Sequence, residues 1–371
     1  MLKRIYIDNF RCLVNFELTV DSINLFLGEN GSGKSTVFEV LRKIQALVSG
    51  ESRIYDIFMP SDFTRWQTSP NQIFELEIEG NGGIYKYELA IQYVRERPGF
   101  IVKHERLWFD KQLLLKFEFG EVQIYGNDGT ERPNYSYEWT QSVLPSIPSR
   151  GDTTNLTGFR DCMERFIIVQ ITPGMMVEDS DREEKRLSSK MQNYVSWYRF
   201  LSQDQGKIIK LTNALKDILD GFVSFTFDQV GEQKRILKLN FSKESDSKEI
   251  VKYRFGELSD GQRMLISLYT LIYCTQSENY TLCIDEPENF LALPEIQPWL
   301  DKLYDFCSEK RIQALLISHH PKLINFLASS VGYWFDRKSN TPVRVKPIKD
   351  EHDTGLPISE LIARGWLYDP E

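Results

Sequence analysis

Several short stretches of this chain gather residue types that could handle a phosphate chain. GENGSGKS, residues 28–35, meets every fixed position of G-x-x-x-x-G-K-[ST], with a predicted strand before it and a predicted helix after it. In such a loop the backbone amides of residues 31–36 (Gly31, Ser32, Gly33, Lys34, Ser35 and Thr36) would wrap phosphate oxygens. The Lys34 ammonium would neutralise the β and γ oxygens, and the Ser35 hydroxyl would ligate Mg²⁺. TLCIDEPEN places Asp285 and Glu286 at the end of an apolar strand, where a parallel sheet presents side chains to a ligand. Asp285 suits the metal shell, and Glu286 suits orienting and deprotonating an attacking water. Glu288 is read as an extra, solvated acid. ALLISHH ends another apolar strand in His319 and His320, a candidate contact for a γ-phosphate. His104 and His352 lie in charged surroundings and receive no role.

ELSDGQRMLISLY adds a further polar turn running into a helix, whose apolar positions Met264, Leu265, Leu268 and Leu271 place its start near Ser259. Ser259 there is an ordinary N-cap on one reading. On the other, with Gly261 close behind, the positive helix end is an anion site.

The elements that must position these residues are legible in outline. Residues 2–27 read as short strands leading into the glycine loop, and KSTVFEVLRKIQALV has helical spacing. Residues 1–70 thus form the P-loop part of the core. Residues 73–125 alternate apolar and polar side chains between turns, an antiparallel meander inside a β-rich segment 71–160. Residues 126–160 are rich in Asn, Asp, Ser, Pro and Gly and read as loop. A strand follows and ends near Gln170. Apolar spacing over 178–220 predicts a pair of helices, too short for a long coiled coil. Leu187, Met191, Tyr194, Trp197 and Leu201 read as core. GFVSFTFDQV and ILKLNFS return to strand, and SKESDSKE reads as a solvated hairpin tip. From 256 helices and strands alternate, as in a mostly parallel sheet, so 221–371 carries the remaining motifs. In the tail GLPISELIARGW, a short helix would pack Leu361, Ile362 and Trp366 on the protein.

The expected class is α/β, a single head with a mixed to parallel P-loop sheet, an antiparallel β-lobe and a short helical lobe. With 41% hydrophobic and 26% charged residues the chain reads as soluble and globular, and a net charge of −8 argues against non-specific nucleic-acid binding. The five scattered cysteines form no C-x-x-C pair and fit a reducing, cytoplasmic compartment. No signal peptide or membrane-length apolar run is evident, so no membrane is expected.

The ordered set GENGSGKS, LSDGQR, TLCIDEPEN and ISHHP resembles the ATP-binding-cassette ATPases, and the opening LKRIYIDNFRCLVNFEL is similar to the SMC/RecF-like branch. The resemblance implies ATP and Mg²⁺ as ligands. It implies Lys34 and Ser35 on phosphate and metal, Asp285 as the second metal residue, Glu286 as catalytic base and His319 as switch histidine. Asn30 and Arg11 would also touch phosphates, and Gln170 resembles the Q-loop glutamine that reaches the metal. In that family two heads pair head-to-tail around ATP, so Ser259, Gly261 and the neighbouring Gln262 would face nucleotide on a partner copy. Asp260 replaces the commoner signature glycine, which predicts an acid near a developing anion and slow hydrolysis.

Among arm-less relatives the plan resembles antiphage ATPases of the OLD, Septu and PARIS type. The residues after His319 are expected to be too few for the nuclease domain of OLD-type proteins. The function expected is therefore an ATPase sensor or scaffold controlling a separate toxin or nuclease. A RecF-like DNA-repair ATPase, for which DNA remains a possible partner, and an ATP-gated assembly module with little turnover are the alternatives.

Overall fold

The computed structural model describes residues 1–95, 99–243, 249–276, 279–348 and 355–366. The chain divides into two compact units, Met1–Phe166 with Ala328–Asp353 and Ile167–Leu327 with Thr354–Glu371.

In the first unit the expected meander is present and is larger than its sequence pattern suggested. Asn71–Gly80, Gly83–Val94, Gly99–Phe109, Gln112–Glu118, Glu121–Ile124 and Tyr135–Ser136 pair in sequence order, all antiparallel. The two N-terminal strands, Leu2–Asp8 and Phe16–Thr19, extend the same sheet, with Ile5 opposite Leu76. Period-two alternation explains the burial: Phe74, Leu76 and Ile78 face inward, while Glu75 and Glu77 turn to the charged side, where Arg4 meets Glu75 at 2.8 Å. The predicted loop 126–160 ends in a helix instead, Thr154–Glu164. Leu156, Phe159 and Met163 bury its inner face, and Phe159 stacks on Tyr87 with ring centroids 5.0 Å apart. Their spacing was masked by the polar composition around them. Elsewhere in this unit Ile23–Leu27, buried at every position, runs parallel to Gly332–Asp336, which pairs antiparallel with Arg344–Pro347.

In the second unit Tyr280–Asp285 and Ile312–Ile317 pair in parallel, with Asp285 opposite Ile317. The helices Asp260–Thr275 and Leu293–Ser308 belong to the same unit. A small antiparallel sheet is built from Asp179–Ser180, Lys234–Ser242, Phe222–Val230 and Ile250–Arg254. The turn SKESDSKE falls largely at 244–248, outside the described residues. Helix begins at Tyr194, not near 178: Tyr194–Leu201 and Gln205–Lys216 are the two helices. Before them Met191 takes a positive φ of 57°, and the Asn193 side chain bonds Ser188 N and the Arg186 carbonyl, so local side-chain bonding displaces a helical ladder. The tail helix Ile358–Ala363 buries Ile358 and Leu361, whereas Ile362 is half-buried and Trp366 is exposed, contrary to expectation.

All five cysteines are buried thiols outside any disulfide. Among the described residues no helix is long and apolar enough to cross a membrane.

Candidate nucleotide site

The P-loop follows the buried strand Ile23–Leu27 and ends in the helix Lys34–Val48. Two of its glycines are compelled by geometry. Gly28 has φ 143° and an added Cβ would lie 2.4 Å from the Phe335 carbonyl oxygen; Gly33 has φ 97° and its Cβ would lie 2.7 Å from Cys12 Sγ. The helix starts without a side-chain cap and without an acid in its first turn, so its positive end is kept for an outside anion. Lys34 is 6% exposed, and its Nζ donates to the Gly28 carbonyl at 2.7 Å and the Glu29 carbonyl at 2.9 Å, with Ser32 Oγ at 3.4 Å. Asn30, Gly31 and Ser35 are exposed, while Thr36 is half-buried and its side chain bonds Cys12, whose thiol burial pushes up.

Arg337, unmarked by any local signal, braces the loop tip. It donates to the Gly31 carbonyl at 2.8 Å and lies 5.7 Å from the centre of the Trp66 ring. The Trp66 indole N–H in turn donates to Asn340 O at 2.8 Å.

Arg11 is committed to carboxylates. It forks onto Glu39 at 2.6 and 2.8 Å and donates to Asp62 at 3.0 Å. Lys43 reaches Asp62 at 2.7 Å and lies over Phe10 and Phe58. Burial alone would raise the Asp62 carboxyl, but bonds from Lys43, the Met59 amide and Arg11 outweigh it and hold it below the usual range. The expected phosphate contact of Arg11 would therefore require it to leave Glu39.

In the second unit the strand register brings the acids and the histidines to one end. Glu286 takes a positive φ of 54° just after the strand, and its amide donates to Ile317 O at 2.8 Å. Asn289 Nδ2 donates to Glu286 Oε2 at 2.7 Å and steadies the carboxylate. Glu288 is not the solvated acid expected from sequence. Its Oε1 accepts from Ser318 Oγ at 2.8 Å and from the His319 amide at 3.1 Å, while Oε2 is buried without a partner. Burial pushes its carboxyl up, and bonds from its own amide, Ser318 and the His319 amide do not offset it. The two histidines differ: the His320 ring accepts from Lys322 N at 3.1 Å and burial lowers its pKa, whereas His319 is exposed. Gln170 follows the strand Phe166–Val169, and its side-chain oxygen accepts from Lys190.

Ser259 caps the helix Asp260–Thr275 in a reciprocal box: Ser259 Oγ accepts from Gln262 N at 3.2 Å, and Gln262 Oε1 accepts from Ser259 N at 3.1 Å. An added Cβ at Gly261 would lie 2.9 Å from Phe290 O, so this glycine admits the turn that carries the acids. Asp260 is not a bare acid. Arg263 donates to it at 2.5 Å and to Pro173 O at 2.7 Å, which neutralises the charge that the sequence left beside the signature.

No group of three or more His, Cys, Asp or Glu side chains gathers for a metal among the described residues. The Ser35 hydroxyl in the first unit, and the Asp285 carboxylate and Gln170 amide oxygen in the second, are each of the donor type that an oxygen-loving cation such as Mg²⁺ takes. For Gln170 that means releasing Lys190.

A glycine-compelled P-loop in the first unit, and strand-end acids and a serine-capped helix in the second, are the features that P-loop ATPases of the SMC/RecF-like class carry. Comparison with known families agrees: residues 1–107 match the AAA ATPase domain, and residues 175–325 match a family described as "AAA domain, putative AbiEii toxin, Type IV TA system". A stretch of 69 residues is 33% identical to the OLD nuclease of Thermus scotoductus (strain ATCC 700910 / SA-01), covering 19% of this chain and 13% of that protein. Among solved structures, an SMC head bound to the C-winged helix domain of ScpA is similar with a TM-score of 0.51 and 13% identity, covering 94% of this chain and 98% of that one. The SMC head domain from Thermotoga maritima gives a TM-score of 0.48 at 13% identity, covering 94% and 99%. The fold is thus that of an SMC head, a mixed α/β ABC-ATPase head, and the chain carries AAA-type ATPase domain matches and resembles SMC/RecF-like ATPases and, over a short stretch, an OLD-type protein.

Proposed function

We propose that this ATPase pairs head-to-tail around ATP and uses that pairing to control a separately encoded toxin or nuclease in antiphage defence. The observation that carries the catalytic part is the posture of Glu286, turned out of a buried parallel strand and steadied by Asn289. The defence role is supported by the toxin-system description of the family matched at 175–325 and by the OLD nuclease likeness.

In this reading the amides of Gly31, Ser32, Gly33 and Thr36 and the Lys34 ammonium hold the phosphates, with Asn30 at their edge. Ser35 and Asp285 would be ligands of Mg²⁺, which would supply neutralisation of phosphate charge when bound. Glu286 draws the proton from water and the exposed His319 faces the γ-phosphate. Ser259 and Gly261 close over nucleotide held by a second copy, with Gln262 fixing the serine.

Steady-state hydrolysis by wild type and Glu286→Gln tests the base: equal rates reject it. Mass measurement of Glu286→Gln with and without MgATP tests the pair, which is rejected by a protein that stays monomeric with ATP bound. Purification with the neighbouring gene product tests the effector. Hydrolysis stimulated by DNA ends or gaps, with no bound protein, would transfer the chain to DNA repair.

A further inference from the structure

We propose that Glu288 is a positioning residue that fastens the turn bearing the catalytic base to the turn bearing the switch histidine. The inference rests on the assignment of Glu286 and His319 above.

Two successive links join the ends of the neighbouring strands. The first is backbone, Glu286 N to Ile317 O at 2.8 Å. The second is the Glu288 carboxylate, whose Oε1 receives both the Ser318 hydroxyl and the His319 amide. Ser318 is fully buried and passes the constraint along: its Oγ accepts from His320 N at 3.0 Å, and the His320 ring accepts from Lys322 N. One carboxylate oxygen therefore sets the path of the whole SHHPK turn. On its own side Glu288 lies in a turn closed twice, by Asn289 N to Glu286 O at 3.3 Å and Leu291 N to Glu288 O at 3.1 Å. A solvated acid would gain nothing here; a buried one with an orphaned Oε2 persists because its other oxygen holds two donors in place. The clamp fixes where His319 stands relative to Glu286 and includes no P-loop residue, so its loss should act on the chemical step rather than on nucleotide binding.

The test is MgATP hydrolysis by Glu288→Ala, Glu288→Gln, Ser318→Ala and Glu286→Gln. Glu288→Ala should lower kcat by about 10- to 100-fold with KM for ATP within about two-fold of wild type, as expected when a reacting group is displaced by an ångström or less. Glu288→Gln keeps an oxygen that accepts both bonds and should recover most of the loss. Adding Ser318→Ala to Glu288→Ala should cost little more, because both changes break one linkage. A wild-type kcat for Glu288→Ala, or a Glu288→Gln enzyme as impaired as Glu288→Ala, overturns the clamp. If Glu288→Ala does not fold, Ser318→Ala decides: unchanged kcat overturns the clamp and a several-fold fall at constant KM supports it. Undiminished hydrolysis by Glu286→Gln sinks the underlying assignment instead, a different outcome from an inactive Glu286→Gln beside an intact Glu288→Ala.

Discussion

The helices Lys34–Val48 and Asp260–Thr275 both begin at a glycine-containing polar turn, yet they treat their N-terminal amides in opposite ways. The first is preceded by Gly33 in a left-handed conformation and has no side-chain cap. The second is closed by its own Ser259 and Gln262, with Asp260 in the first turn and paired to Arg263. An uncapped helix start offers bare amides to a phosphate chain, whereas a capped one offers a hydroxyl and a satisfied backbone. The P-loop is a cradle; the signature turn is a finished surface suited to touching an anion that something else already holds. The two starts also differ in support, since the Arg11, Glu39, Lys43 and Asp62 network braces the P-loop helix through buried charge.

The contrast can be broken most severely at that brace. Asp62→Asn leaves Lys43 partly buried without its carboxylate and should cost about 3–5 kcal/mol in chemical denaturation. Because the folded Asp62 carboxyl lies below its ordinary 3.8, its contribution is present above that value and is lost as pH falls through the folded pKa. The stability gap between wild type and Asp62→Asn should therefore narrow below about pH 4; a gap constant down to acid unfolding would contradict the pairing. Lys34→Ala comes next. It should weaken ATP binding on the order of 100-fold by equilibrium titration, the weight of hydrogen bonds to a charged group, and an unchanged affinity would mean that the loop is no cradle. Ser259→Ala should lower stability by about 0.5–2 kcal/mol through loss of the cap, with Ser259→Asp restoring it. Both should bind ATP as single copies as wild type does. The smallest effect belongs to Asp260→Gly, less than about 1 kcal/mol for a half-exposed pair. With Arg263 already neutralising Asp260, turnover should change by less than about three-fold; a large gain would show that the pair opens in the working assembly.

What could be read in advance follows from where the information sits. GENGSGKS is a contiguous motif whose glycines answer to backbone conformation, so Gly28 and Gly33 were legible before any fold was known. The meander was legible because strand alternation is local, as was the parallel pair ending in Asp285 and Ile317. The helix Thr154–Glu164 was hidden because only tertiary packing, with Phe159 against Tyr85 and Tyr87 and Leu156 buried beside it in the helix, makes these residues count as one face. Glu288 was misjudged for the same reason: in DEPEN it is one acid among several, and only the buried Ser318 beside it turns it into a clamp. Asp260 was seen without the Arg263 and Pro173 contacts that cancel it. The start of the helical segment was misplaced because Asn193 bonds turn backbone that spacing alone assigned to a helix.

By itself, then, the sequence determined the chemistry available: a phosphate loop, two strand-end acids, a histidine pair and a serine-capped turn, each encoded within a few neighbouring residues. Only the tertiary structure decided which of these groups are free to act. Whether a carboxylate is solvated, paired or buried depends on residues tens to hundreds of positions away. That choice separated Glu286 from Glu288 and His319 from His320, and tied Arg11 to carboxylates and Arg337 to the P-loop tip.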